Sequence, residues 1–347
     1  MSKPLISNPT IPLDSLILVT GANGLIASTI ADQLLFAGYR VRGTVRNRAK
    51  NAWLASVLTA RHGSDRFELV EIPDLTVTGV WTPVVKGVAG IAHVLGALDG
   101  AAKDSDKAIE AELPWHIALL EAATSEPNMK SFALTSSAWA AWTPDASVKS
   151  VLTKWTWNDS AVQLARSDAT PQQKGFAPWM AQKTLYEQKL WEWVRKNQDR
   201  IPFTFNSILL DTVIGHCLHP KEQGIPSSTG MVGWAYEKSH LDFLGGMQPQ
   251  WYIDTIDTAL LYVAALTTPG VNGERLYGFG ARYSWPKVTE ILKNLYPEKD
   301  ITIMEYNGWD QTKIPNQRAE ELLRGVKGAG WTSLEESVQA AAKCLGI

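Results

Sequence analysis

Residues 16–27 read LILVTGANGLIA, a short apolar run that passes through a turn with two glycines into a segment with helical periodicity. This order of strand, turn and helix is the phosphate-binding arrangement of a βαβ unit. Gly21 permits the tight turn, Gly24 lets a diphosphate approach the backbone, and the small Ala27 lets the helix pack closely on the strand. The start of the helix adds unpaired N–H groups and the positive end of its dipole. The residues expected to contact a dinucleotide here are Gly21, Asn23, Gly24, Leu25 and Ile26.

The first half of the chain alternates short apolar runs with helical segments, which is the pattern of βαβ units that feed a parallel sheet. Apolar residues recur at helical spacing most clearly over residues 25–36 and 107–124. The predicted strands are residues 16–20, 40–45, 67–71, 90–94 and 131–136. We therefore predict an α/β fold with a doubly wound parallel sheet, the Rossmann fold.

The second half of the chain is less regular. Residues 144–178, rich in Trp, Ser, Asp and Gln, are expected to form irregular loops of the kind that shape substrate pockets. A helix over residues 180–196 and a buried strand over residues 203–210 are predicted to follow. The expected domains are a dinucleotide-binding Rossmann domain at 13–215 and a smaller, mainly substrate-binding C-terminal lobe at 216–347, with 251–266 returning to the first.

The bulk properties favour a small-molecule substrate. The 347 residues are 45% apolar and carry a net charge of −2, which gives no reason to expect a nucleic acid or an anionic membrane, since both require clustered positive charge. Residues 1–13 lack the pattern of a signal peptide, and no run of about 18 apolar residues occurs. Cys217 and Cys344 are too few for a disulfide framework and lack metal-ligand spacing. We expect a soluble cytoplasmic protein without a bound metal, either a monomer or a homodimer.

The second predicted strand indicates which nicotinamide coenzyme binds. An NAD site usually has an acidic residue about twenty positions after the first glycine, where it holds the ribose 2′-OH. No Asp or Glu occurs from residue 33 through 64. Arg46 follows the strand instead, with Arg42 and Lys50 as possible helpers, and a guanidinium there can pair with the 2′-phosphate of NADP. Solvated surface charges are the alternative interpretation, but the coincidence of basic residues with a missing acid favours NADP(H).

Several motifs in order carry a family resemblance. After the glycine turn come VRGTVR at residues 41–46, LTSS at 134–137, KTLYE at 183–187 and QWYID at 250–254. With these motifs the chain resembles the extended short-chain dehydrogenase/reductases, and among them the fungal aldehyde or carbonyl reductases and the plant dihydroflavonol reductases. The resemblance spans nearly the whole chain.

The resemblance implies an active site for carbonyl reduction. Those enzymes use a serine and a tyrosine that bond the substrate carbonyl, and a lysine that holds the nicotinamide ribose and lowers the pKa of the tyrosine. Ser137 matches the serine and Lys183 matches the lysine, whereas Trp179 stands four residues before the lysine, where the tyrosine belongs. The resemblance also places Asp74 and Leu75 at the cofactor, with Asp74 beside the adenine.

Trp179 changes the expected chemistry. Trp179 and Lys183 are one helical turn apart and share a helix face. An indole N–H can polarise a carbonyl but cannot act as a general acid near neutrality. Tyr186 is about 10 Å further along the helix, too far to replace the tyrosine. Asp211, His116 and Lys183 itself are the candidate proton donors.

Three functions remain compatible with this sequence. The leading hypothesis is an NADPH-dependent reductase that acts on a hydrophobic ketone or aldehyde with an atypical proton donor. The second is a non-redox isomerase, dehydratase or cyclase that retains NADP(H). The third is a silent module that senses the coenzyme or a metabolite, although retention of Ser137 and Lys183 argues against it.

Overall fold

The computed structural model describes residues 4–96, 104–224, 227–306 and 308–347. The strands are β1 (Leu16–Val19), β2 (Arg40–Val45), β3 (Phe67–Glu71), β4 (Val88–His93), β5 (Ser131–Ser137), β6 (Thr204–Leu210), β7 (Thr212–Ile214), β8 (Gln250–Asp254), β9 (Arg275–Gly278) and β10 (Ala281–Tyr283). The first seven helices are α1 (Leu25–Ala37), α2 (Ala52–His62), α3 (Thr82–Val85), α4 (Ser105–Thr124), α5 (Asp159–Arg166), α6 (Pro171–Lys174) and α7 (Ala177–Lys196). The others are α8 (Pro220–Gln223), α9 (Ser227–Tyr236), α10 (Leu241–Gly246), α11 (Thr255–Thr267), α12 (Trp285–Leu295), α13 (Gln317–Lys327) and α14 (Leu334–Leu345).

Seven strands form one parallel sheet in the order β3-β2-β1-β4-β5-β6-β9. The predicted doubly wound α/β fold is therefore confirmed. The strand order reverses between β1 and β4, and the crevice outside the carboxyl ends of such strands is where ligands bind in open α/β sheets.

Each face of this sheet buries one apolar cluster beneath its helices. One cluster packs α1, α2, α11 and α13 against the sheet, and the other packs α3, α4 and α7. Strand β4 is buried along its whole length because helices cover both faces. Such continuous apolar runs, in β4 and in the neighbouring strands, are the feature from which the sequence predicts buried strands.

A second, smaller sheet has the order β10-β8-β7, with β8 parallel to β7 and antiparallel to β10. Helices α9, α12 and α14 contribute to a third apolar cluster around it. The chain then returns to the large sheet, since α11 packs into the cluster on the α1 face and β9 pairs with β6. The domain boundary between residues 215 and 216 stays a prediction. The sequence pattern does not predict β9.

Residues 144–178 are more regular than expected. They contain α5 and α6, whose first turns are capped by the side chains of Asn158 and Thr170. Helices this short do not produce the long apolar periodicity from which helices are predicted. Helix α7 also begins earlier than predicted, with Pro178 in its first turn.

The two cysteines form a disulfide, which corrects the expectation from their low number. Cys217 and Cys344 are bonded with their Cα atoms 6.0 Å apart, across a sequence separation of 127 residues. The bond joins the segment after β7 to helix α14. Spacing alone could not reveal this pair because the small sheet brings the two segments together.

Within the described ranges, no helix is both long and apolar enough to cross a membrane. The same residues contain no group of three or more His, Cys, Asp or Glu side chains that could hold a metal ion.

Candidate cofactor and active site

The glycine turn after β1 has a backbone that suits a phosphate cradle. Gly21 has φ +65°, and a Cβ there would lie 3.2 Å from Leu95 Cδ1, so glycine is favoured both by conformation and by space. Its N–H donates to Thr44 Oγ1 at 3.2 Å, which ties the turn to β2. The turn therefore lies where β1 and β2 end side by side.

The N-terminus of α1 adds unsatisfied donors to this turn. Gly24 precedes the helix, no side chain caps it, and the first turn contains no acidic residue. The N–H groups of Leu25 and Ile26 have no partner within a helix that begins here. A diphosphate would supply the missing acceptors, with Asn23 and Gly24 exposed beside it.

Strand β2 comes unusually close to the glycine turn. A Cβ on Gly43 would lie 2.7 Å from the Cβ of Ala22 and 2.9 Å from Phe67 Cζ. Real Cβ atoms are not found at such distances, so this close packing of strand on turn requires glycine. The arrangement brings the end of β2 to the edge of the cradle.

The basic residues after β2 differ in their availability. Arg46 is exposed directly after the strand, and the described residues show no ion pair or hydrogen bond from its guanidinium. Lys50 is also exposed. Arg42, a possible helper, is instead committed to structure, since it donates to Glu68 Oε1 at 2.6 Å and to the carbonyl of Val84 at 2.6 Å. Arg46 and Lys50 are thus available to bind an anionic group.

Asp74 and Leu75 follow β3, the outer strand on this side of the sheet. Asp74 is exposed and accepts from the N–H and Oγ1 of Thr76, at 2.8 and 2.7 Å, and these bonds hold the pKa of its carboxyl below the usual range. Leu75 is half-buried against the cluster beneath α3, α4 and α7. The structure puts both residues two strands away from the glycine turn.

Ser137 and Trp179 meet through an aromatic neighbour. Ser137 ends β5, and its Oγ accepts from the N–H of Trp139 at 3.2 Å. The rings of Trp139 and Trp179 are 5.0 Å apart in an edge-to-face arrangement. Trp139 also lies 5.8 Å from the ring of Phe176. An aromatic wall therefore stands between the end of β5 and the first turn of α7.

The indole N–H of Trp179 is buried without a hydrogen-bond partner among the described residues. Leaving a donor unpaired costs about 1–3 kcal/mol, so a buried free donor is unusual. A carbonyl oxygen of a substrate would satisfy it.

Lys183 lies one turn after Trp179 on α7 and is half-buried. Burial lowers the pKa of its ammonium, and the nearby carboxylate of Glu112 opposes that shift. A Cβ on Gly96 would lie 3.7 Å from Glu112 Oε1 and 4.0 Å from Lys183 Nζ, so the absent side chain leaves the space between the two charges open.

A buried polar chain runs behind Lys183 from the end of β1 to α7. Thr20 Oγ1 is 2.9 Å from His93 Nδ1, and His93 Nε2 is 2.6 Å from His116 Nδ1. His116 Nε2 is 3.1 Å from Glu112 Oε1, and Gln182 Nε2 donates to Glu112 Oε2 at 2.9 Å. All five side chains are less than 10% exposed.

This chain argues against His116 as the proton donor. His116 is buried within it, and burial and the neighbouring Lys183 hold its pKa well below 6.5. Tyr186 OH lies 3.3 Å from His116 Nδ1, and burial raises the pKa of its phenol.

Asp211 lies where β6 passes into β7. Its Oδ2 accepts from the N–H of Trp251 at 2.9 Å, and burial raises the pKa of its carboxyl to about 8. This raised pKa favours the protonated acid of Asp211, which lies one residue beyond Leu210, the partner of Ser137 in the sheet.

Comparison with known proteins places this arrangement in a family. The model of the NAD dependent epimerase/dehydratase family matches residues 17–205, which span the glycine turn, β5 and α7. The chain belongs to this family. The resemblance to extended short-chain dehydrogenase/reductases is thereby confirmed.

Relatives within the epimerase/dehydratase family match along nearly the full chain. Aldehyde reductase 2 of Sporidiobolus salmonicolor is 33% identical over 340 residues, covering 96% of this chain and 97% of the relative. Ketoreductase adrE of Penicillium rubens is 35% identical over 345 residues, with the same two coverages. The NAD-dependent epimerase/dehydratase terH of Aspergillus terreus is 33% identical over 338 residues, again covering 96% and 97%.

Solved structures share the fold. The NADPH complex of yeast methylglyoxal/isovaleraldehyde reductase Gre2 superimposes with a TM-score of 0.77 at 22% identity, covering 95% of this chain and 98% of that one. Vestitone reductase from alfalfa gives a TM-score of 0.73 at 21% identity, with the same coverages.

Two parts of the site are not predicted by the sequence analysis. Gln223, from α8, donates to the carbonyl of Asn23 at 3.2 Å and to Ser28 Oγ at 3.0 Å, so the second half of the chain also braces the glycine turn. Glu112 and Gln182 form the buried end of the polar chain. An acid and a histidine four residues apart on an otherwise apolar helix face, Glu112 and His116, are the pattern that points to it.

Proposed function

We propose that this protein is an NADPH-dependent carbonyl reductase that acts on a hydrophobic ketone or aldehyde with an atypical proton donor. The observation that carries the proposal is the contact of Trp139 with Trp179, which links Ser137 at the end of β5 to α7 one turn before Lys183. The aldehyde reductase and ketoreductase relatives support the same reaction class.

The residues of the cradle fit a 2′-phosphorylated dinucleotide. The uncapped start of α1 offers Gly24, Leu25 and Ile26 to the diphosphate, and the available Arg46 suits the 2′-phosphate, with Lys50 beside it. When bound, NADPH would supply a hydride to the carbonyl carbon. Asp74 and Leu75 remain candidates for the adenine side.

Ser137 and Trp179 would polarise the substrate oxygen. The Oγ of Ser137 already accepts from Trp139, which leaves its O–H to donate, and the Trp179 N–H needs an acceptor. In this proposal both donors would bond the substrate oxygen, which gains negative charge as the carbon is reduced. The indole cannot give up its proton, so another group must supply it.

Lys183 is the proton donor that we propose. It is one helical turn from Trp179, and burial lowers the pKa of its ammonium. One N–H proton of the ammonium passes to the substrate oxygen as the C–H bond forms, which leaves an alcohol and a neutral amine. Solvent restores the lysine proton after the product leaves.

The wall formed by Trp139, Phe176 and Trp179 favours an apolar or aromatic substituent on the carbonyl. The C-terminal lobe, residues 216–347, would cover the substrate beyond the end of the large sheet. An aryl ketone is therefore a suitable first substrate for assays.

Variants of Trp179 test this proposal. With an aryl ketone or aldehyde and NADPH, Trp179→Phe should lower kcat/KM about 2- to 10-fold because one hydrogen bond is lost. Trp179→Tyr should raise kcat at least about 10-fold because it restores a general acid. Trp193→Phe, at the other end of α7, is the matched control and should leave both constants unchanged.

Wild-type protein that converts a substrate without consuming NADPH would contradict the proposal. It would favour the non-redox alternative of an isomerase, dehydratase or cyclase. Failure of Trp179→Phe to change kcat/KM would show that the indole N–H does not contact the reacting oxygen.

A further inference from the structure

We propose that Glu112 is a positioning residue for Lys183: a buried carboxylate, fixed by a one-directional chain of hydrogen bonds, that keeps the lysine ammonium charged beside Gly96. The inference deepens the proposed function and rests on it for the role of Lys183 in reduction. The geometry of the chain carries it.

Thr20 sets the direction of the chain. Its Oγ1 accepts from the N–H groups of Val94 and Leu95, both at 3.0 Å, which uses both lone pairs of the hydroxyl. The O–H of Thr20 must therefore donate to His93 Nδ1, 2.9 Å away. The neutral imidazole of His93 then carries its proton on Nε2.

The two histidines pass this direction on to Glu112. His93 Nε2–H donates to His116 Nδ1 at 2.6 Å, so neutral His116 carries its proton on Nε2. That N–H donates to Glu112 Oε1 at 3.1 Å. Burial keeps the pKa of both imidazoles well below 6.5, which agrees with two neutral rings.

Glu112 therefore accepts a hydrogen bond from this chain. Gln182 Nε2 donates to its second oxygen at 2.9 Å. Donors to both oxygens stabilise the carboxylate form. Because the donors behind the Thr20 hydroxyl are fixed backbone N–H groups, the chain holds the carboxylate in place.

Lys183 is the cation next to this carboxylate. Glu112 Oε1 and Lys183 Nζ approach the empty side-chain position of Gly96 from two sides, at 3.7 and 4.0 Å from where a Cβ would be. The other titratable groups of the described residues near the pair are His116 on α4, His93 on β4 and Tyr186 on α7. The two imidazoles are neutral and the phenol has a raised pKa, so Glu112 is the anion that balances the lysine.

The charge balance matters because Trp179 offers no proton of its own. Burial alone favours the neutral amine of Lys183, which could neither donate a proton nor attract an electron-rich ribose. The carboxylate opposes this loss of charge. The pH at which kcat/KM falls on the basic side would then depend both on the burial of Lys183 and on the charge of Glu112.

The test is a pH titration of Lys183 by NMR in protein labelled with 13C at the lysine ε-carbon, with the signal assigned by its loss in Lys183→Met. In Glu112→Gln the pKa of Lys183 should fall by about one unit or more, because an opposite charge is removed. Glu110→Gln removes the same charge from an exposed position of the same helix and should leave the pKa of Lys183 unchanged. Glu112→Asp keeps the negative charge, so the pKa of Lys183 in this variant should lie close to the wild-type value.

An unchanged Lys183 titration in a folded Glu112→Gln would overturn the proposal. A second measurement needs no variant of Glu112: in the wild type, protonation of this carboxylate at acid pH must give a further inflection in the Lys183 signal. A single inflection over the whole range would equally overturn it.

The dissociation constant of NADPH, measured against pH, separates this inference from the proposed function. Affinity should weaken at a lower pH in Glu112→Gln than in Glu110→Gln. That shift requires no turnover, so it would support the role of Glu112 even if no carbonyl were reduced. Absence of the shift together with normal reduction would reject Glu112 alone.

Discussion

At the scale of single residues, position relative to a strand end decides what a basic side chain can do. Arg42 lies inside β2 and reaches Glu68 on the neighbouring strand, whereas Arg46 lies beyond the strand and has no partner within the part of the chain that the structure describes. The sequence predicts a basic cluster at this edge but not which member is already paired. That distinction depends on the register of β2 with β3, which two isolated segments do not specify.

Gly43 provides a residue-scale prediction. Gly43→Ala should destabilise the fold by about 1–3 kcal/mol, because the added Cβ would collide with Ala22 and Phe67. It should also weaken NADPH binding, since Ala22 belongs to the glycine turn. Thermal unfolding and coenzyme titration measure the two effects.

Gly325→Ala is the control for this substitution. Gly325 lies within α13 with nothing within 4 Å of an added Cβ, so the change should stabilise the helix by about 0.5–1 kcal/mol. Equal free energies of unfolding for Gly43→Ala and Gly325→Ala would show that β2 does not pack closely against Ala22 of the glycine turn.

At the scale of elements, long segments with one strong periodicity are predicted well. Strands β2 and β3 have the predicted bounds, and α1 differs from the prediction by one residue. The buried chain between β4 and α4 is less accessible to prediction. Its members come from the end of β1, from β4, from α4 and from α7, and only tertiary packing aligns their donors and acceptors.

His116 gives an element-scale prediction about acid. The folded protein keeps this imidazole neutral, while the unfolded chain binds a proton below about pH 6.5. The contribution of this group to the free energy of unfolding is thus fully present above that pH. It falls on acidification by about 1.4 kcal/mol per pH unit. His116→Asn should show a shallower loss of unfolding free energy between pH 7 and pH 5 than the wild type.

His240→Asn is the matched control because His240 is exposed at the start of α10. Its loss of stability with acid should equal that of the wild type. If His116→Asn also followed the wild type, the ring would have to be charged in the folded protein.

At the scale of the whole molecule, two sheets share one continuous chain. The crossing from β6 to β7 passes through Asp211, which accepts from the backbone of Trp251 on β8. Strand β9 returns the chain to the large sheet, and the Cys217–Cys344 bond joins the segment after β7 to α14. The sequence does not predict them, because β9 has only four residues and both connections join segments that are distant along the chain.

Asp211 yields a prediction at this scale. Its folded pKa of about 8 exceeds the usual 3.8, so its contribution to stability is complete below about pH 4 and is lost as pH rises towards 8. Asn imitates the protonated acid. Relative to the wild type, Asp211→Asn should therefore gain about 3–4 kcal/mol of unfolding free energy between pH 5 and pH 8.

Asp65→Asn supplies the comparison for this pH dependence, since Asp65 is exposed in a left-handed turn that asparagine tolerates. It should track the wild type at both pH values. A parallel response of Asp211→Asn would mean that the carboxyl group is ionised in the fold.

The central claim is that the glycine turn and Arg46 together bind a 2′-phosphorylated dinucleotide. Quenching of tryptophan fluorescence can give the Kd of NADPH and of NADH at one ionic strength for the wild type, Arg46→Ala and the exposed control Arg195→Ala. We predict that the wild type and the control prefer NADPH by about 10-fold or more, and that Arg46→Ala loses most of this preference with little change for NADH. Equal affinity of the wild type for both coenzymes, or binding of neither, would contradict the account.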